Sequence, residues 1–145
     1  MGMNDLTILD AMAERLKSVE PPVGYSLRNV YATPQESLPV VPAIVFFPGD
    51  DTVSIGSANR SVTLTVNAVL YLTPIPRMDQ KYRDLYTWRS WMRDAFNADV
   101  TIDGNAAQVT VTSTTLGTDT YADQDYLTVT AAVEVLVYEA IAYSE

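Results

Sequence analysis

The chain has 145 residues, of which 48% are hydrophobic and 19% charged, and this matches a single folded domain with a real core. It contains no cysteine and no histidine. That composition excludes disulfides, thiolate nucleophiles, zinc sites of the usual kind and histidine-based acid–base chemistry. The formal charge of −9 disfavours nonspecific binding to a nucleic-acid duplex, because phosphate repels it. No apolar run approaches the length of a membrane span. The first residues lack the basic stretch and apolar core of a secretion signal, so the expectation is a soluble, intracellularly made protein.

In chain order, the first predicted element is a helix from about Asn4 to Val19. Asn4 or Asp5 can cap it, and Arg15 and Lys17 sit late, where cations suit the helix dipole. Ile8, Leu9, Met12, Leu16 and Val19 share one side at helical spacing. Pro21 and Pro22 end it. Tyr25 to Tyr31 reads as a short strand or extended arm, and Ala32 to Val41 as a loop. Ala43 to Phe47 is continuously apolar between prolines, which predicts a strand covered on both faces.

Asp50 to Asn59 is polar and glycine-punctuated and reads as a loop, with Val53-Ser54-Ile55 its one candidate for a strand. Arg60 to Leu72 alternates strictly, with Val62, Leu64, Val66, Ala68, Leu70 and Leu72 on one face. Pro74 and Pro76 stop it. A second helix is predicted from about Met78 to Ala98, followed by a turn at Asp103-Gly104-Asn105 and a strand beginning near Ala107. Gly117 to Asp125 reads as a polar loop. Tyr126 to Tyr138 is the second long alternating strand, with Leu127, Val129, Ala131, Val133, Val135 and Val137 on one face. The predicted fold class is α+β: one domain over residues 1–145, a mostly antiparallel sheet with two helices packed on one face and long projecting strands. At about 3.3 Å per residue, thirteen extended residues reach roughly 40 Å. Strands that long cross a domain of this size or project from it, and so suit a subunit of an assembly.

The second helix mixes aromatic and basic residues, and five of the nine basic side chains of the protein lie between Arg77 and Asp94. Such a mixture can bind single-stranded nucleic acid. Projected at helical pitch, however, Leu85, Trp88, Met92, Ala95 and Phe96 form one apolar arc, so the aromatics belong mainly to the core. Arg83, Ser90 and Asp94 face away. Arg89 falls at the edge of the arc, where it can snorkel or meet a carboxylate or a neighbouring subunit. Trp91 lies off the arc, and is either an interface anchor or a core residue beneath a loop.

Evidence for chemistry is thin. Asp50-Asp51 are adjacent in a predicted loop and have no third carboxylate at calcium-loop spacing. Asp119, Asp123 and Asp125 also depart from that spacing. The glycines are too scattered for a phosphate-cradling loop. No cofactor and no metal is predicted, and no enzymatic activity. The outward faces of the long strands are more informative. Thr63, Thr65 and Asn67 on one, Thr110 and Thr112 on another, and Thr128 and Thr130 on the last are uncharged, whereas exposed sheet usually carries Lys and Glu. That face is either a contact surface for protein or a plain solvated sheet rich in Thr for its strand propensity.

From Leu6 to Tyr138, the order and spacing of these segments resemble the tail-terminator (tail-completion) proteins of long-tailed bacteriophages. The resemblance is carried by the Leu6–Val19 helix, the Leu38-Pro-Val-Val-Pro-Ala-Ile-Val-Phe-Phe47 segment and the polar loop after it. It continues with the Arg60–Leu72 strand, the Pro-interrupted turn, the Trp-bearing Met78–Phe96 helix and the strand ending Val133-Glu-Val-Leu-Val-Tyr138. The resemblance implies a virion protein of the head–tail neck, made in the bacterial host cytoplasm. Its subunits would form a homo-oligomeric ring, usually a hexamer, that caps the tail tube protein and docks to the head-side connector protein. Genomic DNA would pass through the central channel without specific binding.

On this expectation the subunit interface involves Thr63, Thr65, Asn67, Thr128, Thr130, Arg89 and Trp91. The acidic loops holding Asp50, Asp51, Asp119, Asp123 and Asp125 are the candidates to line the channel. Two alternatives stand beside it. One is another neck component, a head-closure or head–tail adaptor subunit. The other is a small-ligand-binding α+β domain.

Overall fold

The computed structural model describes residues 5–22, 25–38, 40–55, 59–74, 83–97 and 108–140. Helix α1 spans Asp5–Ser18, and strand β1, Asn29–Tyr31, follows it. Strands β2, Ala43–Ile55, and β3, Asn59–Pro74, form the first long pair. Helix α2 covers Asp84–Asn97. Strands β4, Gln108–Tyr121, and β5, Gln124–Ala140, form the second pair. The five strands make one sheet in the order β1-β2-β3-β5-β4. Every neighbouring pair is antiparallel except β1 with β2. The fold is therefore α+β, as the alternation predicts. The expected helical turn at Met78 to Tyr82, the Asp103-Gly104-Asn105 turn and Gly24 lie outside the described residues.

The alternating pattern sorts side chains to the expected faces. Leu64, Val66, Ala68 and Leu70 of β3 and Leu127 to Val137 at odd positions of β5 are buried against the helices. Ile8, Leu9, Met12 and Leu16 of α1 and the arc Leu85, Trp88, Met92, Ala95 and Phe96 of α2 close the same core. Pro21 and Pro22 end α1 sharply, and the Ser18 hydroxyl donates to the Arg15 carbonyl at 2.7 Å, satisfying one of the orphan acceptors of the last turn.

The apolar β2 segment is covered on both sides, for a reason the chain order conceals. Ile44 and Phe46 face the helices. Val45 faces away and joins a second, smaller core with Val69, Tyr71, Tyr121 and Tyr126, packed against Tyr31, Leu38, Val41 and Phe47. Residues 32–38 and 40–42 fold over that end of the sheet. The Tyr121 hydroxyl both receives the Gln35 N–H and donates to the Gln35 carbonyl, fastening the segment to the β4–β5 hairpin.

Two predicted loops turn out to be strand. β2 does not stop at Phe47: its register with β3 slips between Pro48 and Asp51 and then continues to Ile55. A bulge absorbs the proline and the glycine without ending the strand. A Cβ at Gly49 would lie 3.2 Å from the Thr65 carbonyl oxygen, so this bulge brings two backbones close enough to favour glycine. Gly117 to Asp125 is likewise the end of β4, a two-residue turn and the start of β5. Ala122 and Asp123 take φ of 48° and 65°. Two successive left-handed residues form the hairpin turn whose twist matches the strands, usually signalled by Asn-Gly.

Candidate interaction surfaces

The face of the sheet away from the helices has two unlike ends. One is the tyrosine end. Tyr71 meets Tyr121 and Tyr126 edge-on, with ring centroids 5.1 and 5.6 Å apart. Burial raises the Tyr71 phenol pKa well above its ordinary value, and the charges of Asp119 and Tyr121 add to the effect. The other end carries Thr63, Thr65 and Asn67 of β3, all half-buried, beside the exposed Thr110 of β4.

The proposed interface residues divide accordingly. Thr130 is half-buried on the helix-free face, with Val69 and Thr115 opposite it. Thr128 is not an outward residue: only 3% of it is exposed. It lies opposite Tyr71 on one side and Gly117 on the other, at the tyrosine end of the face. Thr112 is the extra residue of a second bulge, between Val111 and Ser113, and its hydroxyl donates to the Ala132 carbonyl at 3.2 Å. Glu134 went unnoticed in the sequence. It is exposed, opposite both Thr65 and Thr110, and it lines a hollow of about 140 Å³ with Thr63, Thr110 and Leu136. It shares the parity of Thr128 and Thr130, so the alternation already placed this charge on the Thr-rich face.

Arg89 is half-buried, with its guanidinium 5.4 Å from the Tyr86 ring centroid, a favourable cation–π separation. Trp91 is half-buried and tied down within the subunit. Its indole N–H donates to the Glu20 carbonyl at 2.7 Å, and its ring stands edge-on to Trp88 at 5.3 Å. Trp91 therefore braces α2 against the segment leaving α1. A related strut joins Tyr25 to the start of α2, where the Tyr25 hydroxyl donates to Asp84 at 2.8 Å. That hydrogen bond raises the Tyr25 pKa.

The five aspartates do not gather in one place, and the loops assigned to them are strands and a tight turn. Asp50 and Asp51 are exposed on the far half of β2, at and just beyond its bulge. Asp119 and Asp125 lie on β4 and β5, flanking the turn residue Asp123. Asp119 accepts the Thr120 N–H at 2.8 Å, and Asp125 accepts the Thr120 hydroxyl. Counted along β5, the two acidic groups are roughly 30 Å apart. No group of three His, Cys, Asp or Glu side chains placed to hold a metal ion occurs among the described residues. No described helix is long and apolar enough to cross a membrane.

Beyond Phe47, Pro48 to Val53 are all exposed. Val53, half of it open to solvent, is among the few large apolar side chains so exposed. This stretch is an exposed sheet edge: Val66 and Leu64 of β3, opposite Pro48 and Asp51, are buried in the main core. No protein-family model matches the chain, and no curated protein matches it.

Proposed function

We propose that this chain is the subunit of a phage tail-terminator ring, which caps the tail tube and joins it to the head-side connector. The mechanism is surface complementarity, with no chemical step. The observation that carries the reading is the sheet itself. Its strands are long, its helices lie on one face, and the outer part of the other face bears Thr63, Thr65, Asn67 and Thr130 around one acidic side chain, Glu134, with no basic side chain among the described residues. The exposed edge of β2, Pro48 to Val53, borders that sheet. An antiparallel sheet with helices on one side is also the fold that the family resemblance implies.

Ring closure of this kind is heterologous: two different patches of each copy meet, and the contact repeats around an axis. The net charge of −9 supports a channel that DNA traverses without adhering, because like charge keeps phosphate from the wall. Asp50 and Asp51, exposed on β2, are the carboxylates best presented for that role. The place of work is the virion neck, after synthesis in the bacterial cytoplasm.

Native mass spectrometry of the concentrated protein tests the reading. A closed oligomer, hexameric on the family pattern, is expected, and a strict monomer that never associates with tail-tube protein would refute it. Thr65→Lys combined with Thr130→Lys should leave the fold intact and prevent assembly by forcing charge into a desolvated contact. Thr130 takes the place of Thr128 in this test because lysine at the buried Thr128 would disrupt the subunit itself.

A further inference from the structure

The sheet has two edges, and they are unlike. β4 forms one edge along its whole length, Gln108–Tyr121, with a single charged side chain, Asp119, and no proline. Soluble proteins usually protect an edge strand of that length with lysine, proline or a covering segment, because its unpaired backbone groups will accept another strand. At the opposite edge β1 covers only Ala43, Ile44 and Val45 of β2. The rest of β2 is guarded by Pro48, a bulge, Asp50 and Asp51. Among the described residues β4 is the open edge, and β1 is the edge strand at the other side, where the Asn29 side chain accepts the Val30 N–H at 2.8 Å until another strand replaces it.

The registers show that these two edges fit each other. Asn29 lies in one row with Ala43, Tyr71, Thr128 and Gly117, and Tyr31 in one row with Val45, Val69, Thr130 and Thr115. Following strand directions across the sheet, β1 and β4 run in opposite senses. A second copy rotated about an axis along the strands therefore brings its β1 beside β4 in antiparallel pairing, at the same height and with its helices on the same side. Val30 then stands opposite Leu116, which is half-buried on the helix side of β4 and lacks full cover in the single chain.

The apolar surface beside β1 agrees with this fit. A groove of about 310 Å³ runs beside β1, with Leu16, Val19 and Leu27 in its wall and Lys17 and Arg28 among its lining residues. In the paired register Leu116 stands on the helix side next to that apolar wall, with Arg28 level with Thr118 on the same side. We propose that β4 of each copy adds to β1 of the next and so continues the sheet from subunit to subunit. This inference rests on the ring reading and adds, to the contact proposed for the Thr-bearing face, a contact between the sheet edges of neighbouring copies.

Disulfide trapping tests it in a chain that has no cysteine of its own. Asn29→Cys with Gly117→Cys puts one thiol at each edge of the same row, and a Cβ at Gly117 meets no atom within 4 Å. Within one molecule the two sites are four strand spacings apart, roughly 19 Å, too far to bridge. Mild oxidation should move most of the protein into a ladder of covalent multimers that ends at the copy number found by native mass spectrometry. Each single variant should give no ladder. Tyr31→Cys with Thr115→Cys, in a neighbouring row, should give the same ladder and guards against a fold defect from losing the Asn29 side chain. Non-covalent rings without a ladder in either pair would overturn the edge contact and leave the ring reading standing. A covalent dimer from Gly117→Cys alone would mean that β4 pairs with itself, and would also overturn it. A wild-type chain that never forms rings would remove the ring reading, and this inference with it.

Discussion

Replacing Tyr121 with phenylalanine tests whether the second core and the segment that covers it are one unit. The ring of Tyr121 packs edge-on against Tyr71, and phenylalanine keeps that contact. What is lost is the hydroxyl, which receives the Gln35 N–H and donates to the Gln35 carbonyl. A hydrogen bond of this kind contributes about 1 kcal/mol net. Two together would give about 2 kcal/mol if both Gln35 groups stayed dry. Gln35 itself is exposed, however, so water can replace part of the loss and about 1–2 kcal/mol is expected. With a urea slope of about 1–3 kcal/mol per molar for a domain of this size, the unfolding midpoint should fall by roughly 0.5–1 M while the slope is retained. Hydrogen exchange supplies the local readout: the Gln35 amide should lose protection, whereas the amides of Val129 and Val133 should keep theirs. An unchanged midpoint together with an unchanged Gln35 amide would refute the claim that this hydroxyl holds residues 32–38 onto the sheet.

Further predictions concern pH, the turn and the main core. Tyr71 holds its proton more tightly folded than unfolded, so its contribution to stability is complete below about pH 10 and is lost as pH rises through the higher folded-state value. Urea midpoints measured across that alkaline range should fall, and Tyr71→Phe should flatten the fall; an identical slope in the variant would show that Tyr71 is not responsible. Ala122→Gly removes the left-handed strain of a non-glycine residue at φ 48° and should stabilise the fold by about 1 kcal/mol, read as a raised thermal midpoint. Met92 is fully buried, and Met92→Asp places an unpaired carboxylate there at a cost of several kcal/mol. That is comparable to the whole stability of a domain, so circular dichroism should show an unfolded chain, whereas Met92→Leu should cost less than about 1.5 kcal/mol.

Most of the architecture was legible because burial on one face imposes a period on the chain. Val62 to Leu72 and Leu127 to Val137 at alternate positions could only be half-buried strands, and Ile8, Met12, Leu16 and Leu85, Trp88, Met92 could only be helix faces. Those local patterns determined the fold class, the composition of the main core and the absence of cysteine and histidine chemistry. Polar composition misled at two places. Gly117 to Thr120 resembles a loop because an edge strand is wet on one side, and Ala122-Asp123 lacks the glycine that usually marks such a turn. Pro48-Gly49 resembles a terminus because nothing in a linear pattern distinguishes a bulge from an end.

Tertiary structure alone decided what lies opposite what. The burial of Thr128 depends on Tyr71 lying across from it on another strand. Trp91 meets Glu20, and Tyr121 meets Gln35, across gaps of 71 and 86 residues. The same is true of the sheet order, which leaves β4 and β1 as edges in antiparallel sense at one height. Periodicity reports which side of its own element a residue occupies. Pairing between distant strands depends on registers set by the whole sheet, and no single segment encodes them.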